Sequence, residues 1–330
     1  MSTTRRSFVG AAAALGSSVF LANAGLSSAF AAQEATPGDD LSALGLPSLD
    51  VHVTGTGFEG IPASLVAGRY HLHVTIAEEL LEQGGGGVAF VQPAGMTGEE
   101  FLEAVNAFVA GMSGEGEASP GADAPASPEA GSGIPSFFFQ STFPGGAYSM
   151  DGTPGEAIID LGPGSWVAWA DDPAAAQMPV VFEVTGEMPA DLAEPSTSAV
   201  VTMGEYVIEV TDGELIADPQ IIRVDNIGAQ PHFVEFLKGP DDMTVEQVEV
   251  ALEEEMQGQM SGTPVAYSGL NPETDFEFVG LTGTQSRGTS QWTPLDLEPG
   301  TYLVICFFPD MGDGAPHAYH GMFNVITIAG

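Results

Sequence analysis

A stretch in the middle of the chain recurs, without gaps, near its end. Leu161-Gly162-Pro163-Gly164-Ser165-Trp166-Val167-Ala168-Trp169-Ala170-Asp171-Asp172-Pro173 lies over Leu297-Glu298-Pro299-Gly300-Thr301-Tyr302-Leu303-Val304-Ile305-Cys306-Phe307-Phe308-Pro309. In both, a Pro-Gly turn feeds a run of β-branched and aromatic residues, which is the pattern of a strand entered from a turn. Upstream, Val88-Ala89-Phe90 answers Val234-Glu235-Phe236. Each half then reaches a Thr followed three residues later by Glu or Gln, Thr97 with Glu100 and Thr244 with Gln247, ahead of an apolar run. That spacing predicts a helix whose first amides are capped reciprocally. A chain written this way folds as two related units.

The remaining strand signals are short and bounded by Gly, Pro and Asp: Val51–Val53, Tyr70–Val74, Tyr206–Val210, Ile221–Val224, Tyr302–Cys306 and Phe323–Ile328. They predict an all-β sandwich architecture. Composition divides the chain further. Residues 1–31 read as a twin-arginine export signal, with Arg5 and Arg6 ahead of an apolar run and Ala29-Phe30-Ala31 as the cleavage site. Residues 32–46 are expected to be a loose leader, 47–187 a first domain, 188–198 a linker and 199–330 a second domain. Within the first domain, 113–134 is too rich in Gly, Ala, Ser, Pro and Glu to fold, and is expected to be a disordered insertion.

Of six Lys and Arg, Arg5 and Arg6 belong to the leader, leaving Arg69, Arg223, Lys238 and Arg287 against 45 acidic residues. Such a field repels nucleic acid and anionic lipid and attracts metal cations or basic partners. After the signal, no apolar run is long enough to cross a bilayer. The chain is therefore expected outside the cytoplasm, as a periplasmic, cell-surface or extracellular protein.

Cys306 is the one cysteine, so an internal disulfide is excluded and the thiol is inert, intermolecular or a ligand. Its neighbours favour the last. His317, His320 and Met322 follow in one loop, and His232 lies upstream after Pro231. Two imidazoles, a thiolate and a thioether suit copper in both oxidation states. At period two, Tyr302, Val304 and Cys306 share a face, as do His232, Val234 and Phe236, so two apolar faces carry donors at one end of one core.

From Ser198 to Gly330 the chain resembles a cupredoxin of the plastocyanin and azurin kind. The resemblance is carried by the Asn226-to-His232 segment, the Pro299-Gly300-Thr301-Tyr302 strand, and Cys306, His317 and Met322 on one loop. It implies two tandem Greek-key β-sandwiches, each with a short inserted helix, the first a degenerate copy in which Gly86 and Ala170 stand where His232 and Cys306 stand. It implies one type 1 copper ion held by His232, Cys306, His317 and Met322, with His320 as an alternative to His317. It implies an electron carrier that relays single electrons to a redox partner with a basic docking face. Ten residues separate Cys306 from His317, more than in the small members of that family. A non-redox binding, structural or copper-sequestering protein with the same fold is the rival.

Multicopper oxidases resemble paired cupredoxins but carry several His-x-His pairs and a His-Cys-His run. Here there is one pair, His71 and His73, and Cys306 lies between Ile305 and Phe307, which disfavours oxidase or nitrite reductase chemistry. His71 and His73 share a strand face with Arg69 and Thr75, either as a polar face or, with His52, as a second surface metal site. Gly258 argues against a helix continuing through Met256 and Met260, which are expected on a loose apolar edge. Glu99-Glu100 and Glu253-Glu254-Glu255 read as solvated faces.

Overall fold

The computed structural model describes residues 41–330 except 83, 114–133, 171–177 and 193. The export signal, the first part of the leader and nearly all of the 113–134 insertion lie outside the described residues.

The first half contributes β1 (Ser48–Thr54), β2 (Gly57–Glu59), β3 (Ser64–Val66), β4 (Gly68–Ile76), β5 (Gly86–Val91), β6 (Gly146–Ser149), β7 (Gly155–Leu161), β8 (Gly164–Trp169) and β9 (Val180–Thr185). The second contributes β10 (Ala199–Gly204), β11 (Val207–Gly213), β12 (Gln220–Asn226), β13 (Glu235–Gly239), β14 (Glu277–Leu281), β15 (Ser290–Leu295), β16 (Gly300–Ile305) and β17 (Phe323–Ile328). In the first half β2-β1-β4-β7 faces β3-β9-β8-β5-β6, and in the second β11-β10-β12-β15 faces β14-β13-β16-β17. Contact between β7 and β15, in register at Ile158 and Trp292, joins the two outer sheets into one of eight strands. The architecture is all-β, built of stacked sheets.

One apolar cluster lies within the first sandwich, and a second fills the other sandwich and continues into the first half through Val91, Phe101, Phe138, Phe143, Val167 and Trp169. Leu49, Val51, Leu72, Val74, Val88, Phe90, Trp166 and Phe182 fill the first. Val201, Met203, Ile222, Val224, Val234, Phe236, Tyr302 and Val304 fill the second, and this cluster also takes in Cys306 and Met322. Alternation along β16 thus puts Cys306 on the core face, as period two requires.

Helix α1 (Gly98–Ser113) follows β5 and helix α2 (Val245–Ser261) follows β13. Both start with the predicted reciprocal cap. Glu100 N donates to Thr97 Oγ1 at 3.2 Å and Thr97 N to Glu100 Oε2 at 2.7 Å, and Thr244 with Gln247 does the same at 3.3 and 2.8 Å. Helix α2 runs straight through Gly258 and ends at Gly262, which adopts φ 63°. The expectation of a loose edge at Met256 and Met260 is corrected: a Cβ at 258 would collide with Val265, so glycine lets the following loop close against the helix. Met260 does stand 75% exposed on that helix.

The last residues of the expected leader are described. Leu41–Leu44 forms a 3-10 turn, and Leu41 is wholly buried against Ile158 and Trp292 where the two outer sheets meet. Apolar burial of that size outweighs the local polarity of the segment. In the 188–198 segment, Glu194 pairs with Arg223 at 3.3 Å. Tyr206 is not part of a strand: Glu205 and Tyr206 make the two-residue turn between β10 and β11, and Tyr206 has φ 58°.

Candidate metal centre

His232 precedes β13, Cys306 follows β16, and His317 opens a 3-10 turn, His317–His320, that ends on Gly321 at φ 90°. The three come together with no exposed surface. His232 Nδ1 and His317 Nδ1 are 2.9 Å apart, and Cys306 Sγ is 4.0 Å from the first and 3.7 Å from the second. Metal bonds of about 2.0–2.1 Å to nitrogen and about 2.3 Å to sulfur put tetrahedral donors about 3.4–3.6 Å apart, so small shifts would seat one ion among the three.

Met322 is bonded through its backbone to two of the three. It is fully buried, its carbonyl accepts from Cys306 N at 3.1 Å, and its own N–H donates to His317 O at 3.0 Å. These backbone bonds tie Cys306, His317 and Met322 into one unit. His320 is turned away, 31% exposed, with Nε2 3.2 Å from Asp313 Oδ1.

Burial dominates the electrostatics. It pushes the His232 imidazolium down to about 4 and His317 to about 3, and raises the Cys306 thiol to about 12. Both imidazoles are neutral at pH 7 and able to ligate, and the thiol gives up its proton only when a cation replaces it. Glu235, beside Ile305 in the sheet, is fully buried with neither oxygen hydrogen-bonded, and burial raises it to about 8.

Behind each imidazole stands a carboxylate. His232 Nε2 is 3.6 Å from Glu205 Oε1, and His317 Nε2 is 3.9 Å from Asp310 Oδ2. Glu205 accepts from the backbone N–H groups of Ala229 and Gln230. Asp310 Oδ2 accepts from Tyr206 Oη at 2.5 Å and Gln230 Nε2 at 2.8 Å, and Oδ1 from Gly312 N at 2.6 Å. Burial would raise the Asp310 carboxyl, but these donors outweigh it and hold it at about 2. Gln230 Nε2 also reaches Glu205 Oε2 at 3.2 Å, so one side chain bridges both carboxylates. Gly228 leaves room for this arrangement, since a Cβ there would lie 2.6 Å from His232 Nε2.

The long Cys306-to-His317 loop makes this cover. Asp310 N bonds Ala315 O and Gly314 N bonds Asp310 O, folding the surplus into a turn that aims Asp310 back at His317. Tyr206 lies over His317 and His320, with ring centres 5.6 and 5.2 Å away, and Phe308 lies 5.9 Å from His317. Sequence patterning found the donor trio but missed Glu205, Tyr206, Gln230, Asp310 and Glu235. Asp310, inside the ligand loop, gave the one available hint.

His52, His71 and His73 are far from this centre, on the outer face of the first half: His52 Nδ1 bonds Thr75 Oγ1 at 2.9 Å, and His71 and His73 face Glu156 and Asp50. Asp310, Asp313 and His320 form a second group of possible donors. Asp310 is already saturated there by its hydrogen bonds.

No family model matches the chain, and no curated protein matches it. Among solved structures it is similar to dithionite-reduced auracyanin from Roseiflexus castenholzii at 20% identity, over 40% of this chain and 95% of that one, with TM-score 0.25. Auracyanin A, a "blue" copper protein from Chloroflexus aurantiacus, matches at 19%, over 39% and 95%, with TM-score 0.23. Copper nitrite reductase from Nitrosomonas europaea matches at 10%, over 86% and 93%, with TM-score 0.21. Likenesses this distant add nothing to the geometry of the centre.

Proposed function

We propose that this chain is an exported blue copper protein that relays single electrons through a His232, Cys306, His317 and Met322 centre in its second half. The observation that carries this is the buried triangle of two Nδ1 atoms and one Sγ at 2.9, 3.7 and 4.0 Å. A copper ion held there would supply reversible one-electron chemistry with soft sulfur and imidazole ligands. His232 and His317 present neutral nitrogens, Cys306 presents sulfur on a rigid strand end, and Met322 fills the remaining side as a weak donor. The sandwich excludes water and resists rearrangement of these groups, which keeps the cost of a change in charge low.

The first half is proposed as a copy of the same plan without the blue-site ligands. Export rests on the Arg5-Arg6 leader, which cleavage after Ala31 would remove. A redox partner with a basic face fits the net charge of −39. It would meet Ile227 and Met311, 63% and 54% exposed, which flank the covered imidazoles.

Complete burial of both imidazoles is the one observation that favours the rival, a protein that holds copper without passing electrons. Copper(II) titration read by visible spectroscopy and voltammetry tests both. An intense blue thiolate band, abolished by Cys306→Ser, with a reversible one-electron wave is expected. Colourless stoichiometric copper would overturn the type 1 assignment, and a blue band without reversible electrochemistry would favour holding over relay.

A further inference from the structure

The outer face of the eight-stranded sheet carries a second set of metal-competent side chains. While Tyr70, Leu72 and Val74 of β4 face the core, Arg69, His71, His73 and Thr75 point to the other side. The register sets Asp50 of β1 and Glu156 of β7 directly opposite His73, one on each flank. Two imidazoles and two carboxylates therefore share this face as two neighbouring pairs, His71 with Glu156 and His73 with Asp50, on three adjacent strands.

Two members of this face have their needs met. Arg69 is bound by both oxygens of Asp160, at 2.7 and 2.9 Å, and its guanidinium lies 4.1 Å over the Trp292 ring. His52 bonds Thr75. His71 differs. It is 5% exposed, and its Nε2 has no hydrogen-bond partner. The nearest acceptor, Glu156 Oε1, is 3.6 Å away, beyond hydrogen-bond range. His73 Nδ1 stands at the same 3.6 Å from Asp50 Oδ1. A buried nitrogen left unsatisfied is costly. The separation is too long for a hydrogen bond yet close to the about 3.4 Å between two nitrogen or oxygen donors of one ion.

We propose that His71, His73 and Glu156 bind a divalent transition-metal ion, with Asp50 or water on the solvent side. Imidazole and carboxylate donors without a thiolate suit zinc, nickel or copper(II), and the absence of sulfur sets this site apart in chemistry from the buried centre. His71 is held rigidly by burial. His73, 32% exposed, has its ring centre 6.5 Å from that of His71 at 65°, and closes the set by turning its imidazole toward Glu156. The acidic surface concentrates cations at this face.

Zinc titration of the full chain carrying Cys306→Ala, in excess magnesium to occupy purely carboxylate sites, tests the assignment independently of the blue centre. One saturable zinc site is expected by calorimetry. His73→Ala and Glu156→Gln, neither of which empties a buried position, should each weaken it more than tenfold, while His52→Ala changes it less than twofold. Ring signals of His71 and His73 should move on zinc addition in NMR spectra. Absence of a saturable site, or a site indifferent to both His73→Ala and Glu156→Gln, would overturn the proposal and leave the function of the Cys306 centre untouched.

Discussion

Trp166 in β8 and Tyr302 in β16 occupy matching positions, and each donates its polar hydrogen to the carbonyl four residues earlier, Gly162 at 2.8 Å and Glu298 at 2.8 Å. Gly164 and Gly300 open these strands with φ 138° and 153°. The register continues the match: Ala89 pairs with Trp169 as Glu235 pairs with Ile305. Beyond this the halves diverge. Ala170 follows β8 where Cys306 follows β16, and a Cβ on Gly86 would lie 3.3 Å from Leu80 Cδ1, with Ile76 and Val53 behind it. Aliphatic side chains fill the end of the first sandwich, whereas the second keeps His232, His317 and Glu235 buried with unsatisfied polar atoms. Strand plan and donor set are separable, and at this end of the sandwiches the unsatisfied polar atoms lie beside Cys306.

The sharpest way to break this comparison is at the ligand loop. His317→Ala and His232→Ala should each abolish the blue band entirely, while His320→Ala keeps it; copper titrations followed in the visible decide. Bleaching by His320→Ala alone would redraw the centre. Next comes the converse change in the first half. Gly86→His forces an imidazole against Leu80, and should destabilise the chain by up to about 3 kcal/mol in urea unfolding without creating a coloured site.

The buried carboxyl gives a smaller effect with a definite sign. Glu235 keeps its proton to about pH 8 when folded, against 4.5 for an ordinary glutamate, so the folded chain binds more protons in between and stability falls as pH rises. His232 and His317 act oppositely, since their folded values of about 4 and 3 lie below 6.5 and stability falls as pH drops through that window. Between pH 6.5 and 8 the glutamate dominates. Metal-free protein should lose about 2 kcal/mol over that interval, and Glu235→Gln should lose little. The smallest effect tests one corner: Tyr302→Phe, which loses the bond its hydroxyl donates to Glu298 O and the one it accepts from Glu298 N, should cost about 1 kcal/mol in urea unfolding. Trp166→Phe should cost more, because it also leaves a cavity where a buried indole stood.

What could be read from the chain was whatever a few consecutive residues determine. The Thr97 and Thr244 caps, the Pro-Gly turns into β8 and β16, and the alternation that faces Cys306 inward are all local. Glu205 and Asp310 were invisible because they reach the imidazoles only when the β10–β11 turn and the folded 310–315 loop meet across the sandwich end. Glu235 sits in an alternating strand where an acid would ordinarily face water, and only α2 and the His317 turn packing outside the sheet change that. The helix through Gly258 defied propensity because the missing side chain is what Val265 requires.

The meeting of β7 and β15 has a consequence for how the chain can be divided. A sheet that ends in mid-air offers a row of unpaired N–H and C=O groups, a template on which other chains add. Here β7 and β15 lie edge to edge, paired at Ile158 and Trp292, and Leu41 seals the join. Cutting the chain between the halves would therefore uncover two sticky strands at once, so either fragment alone should self-associate even where its own core is intact.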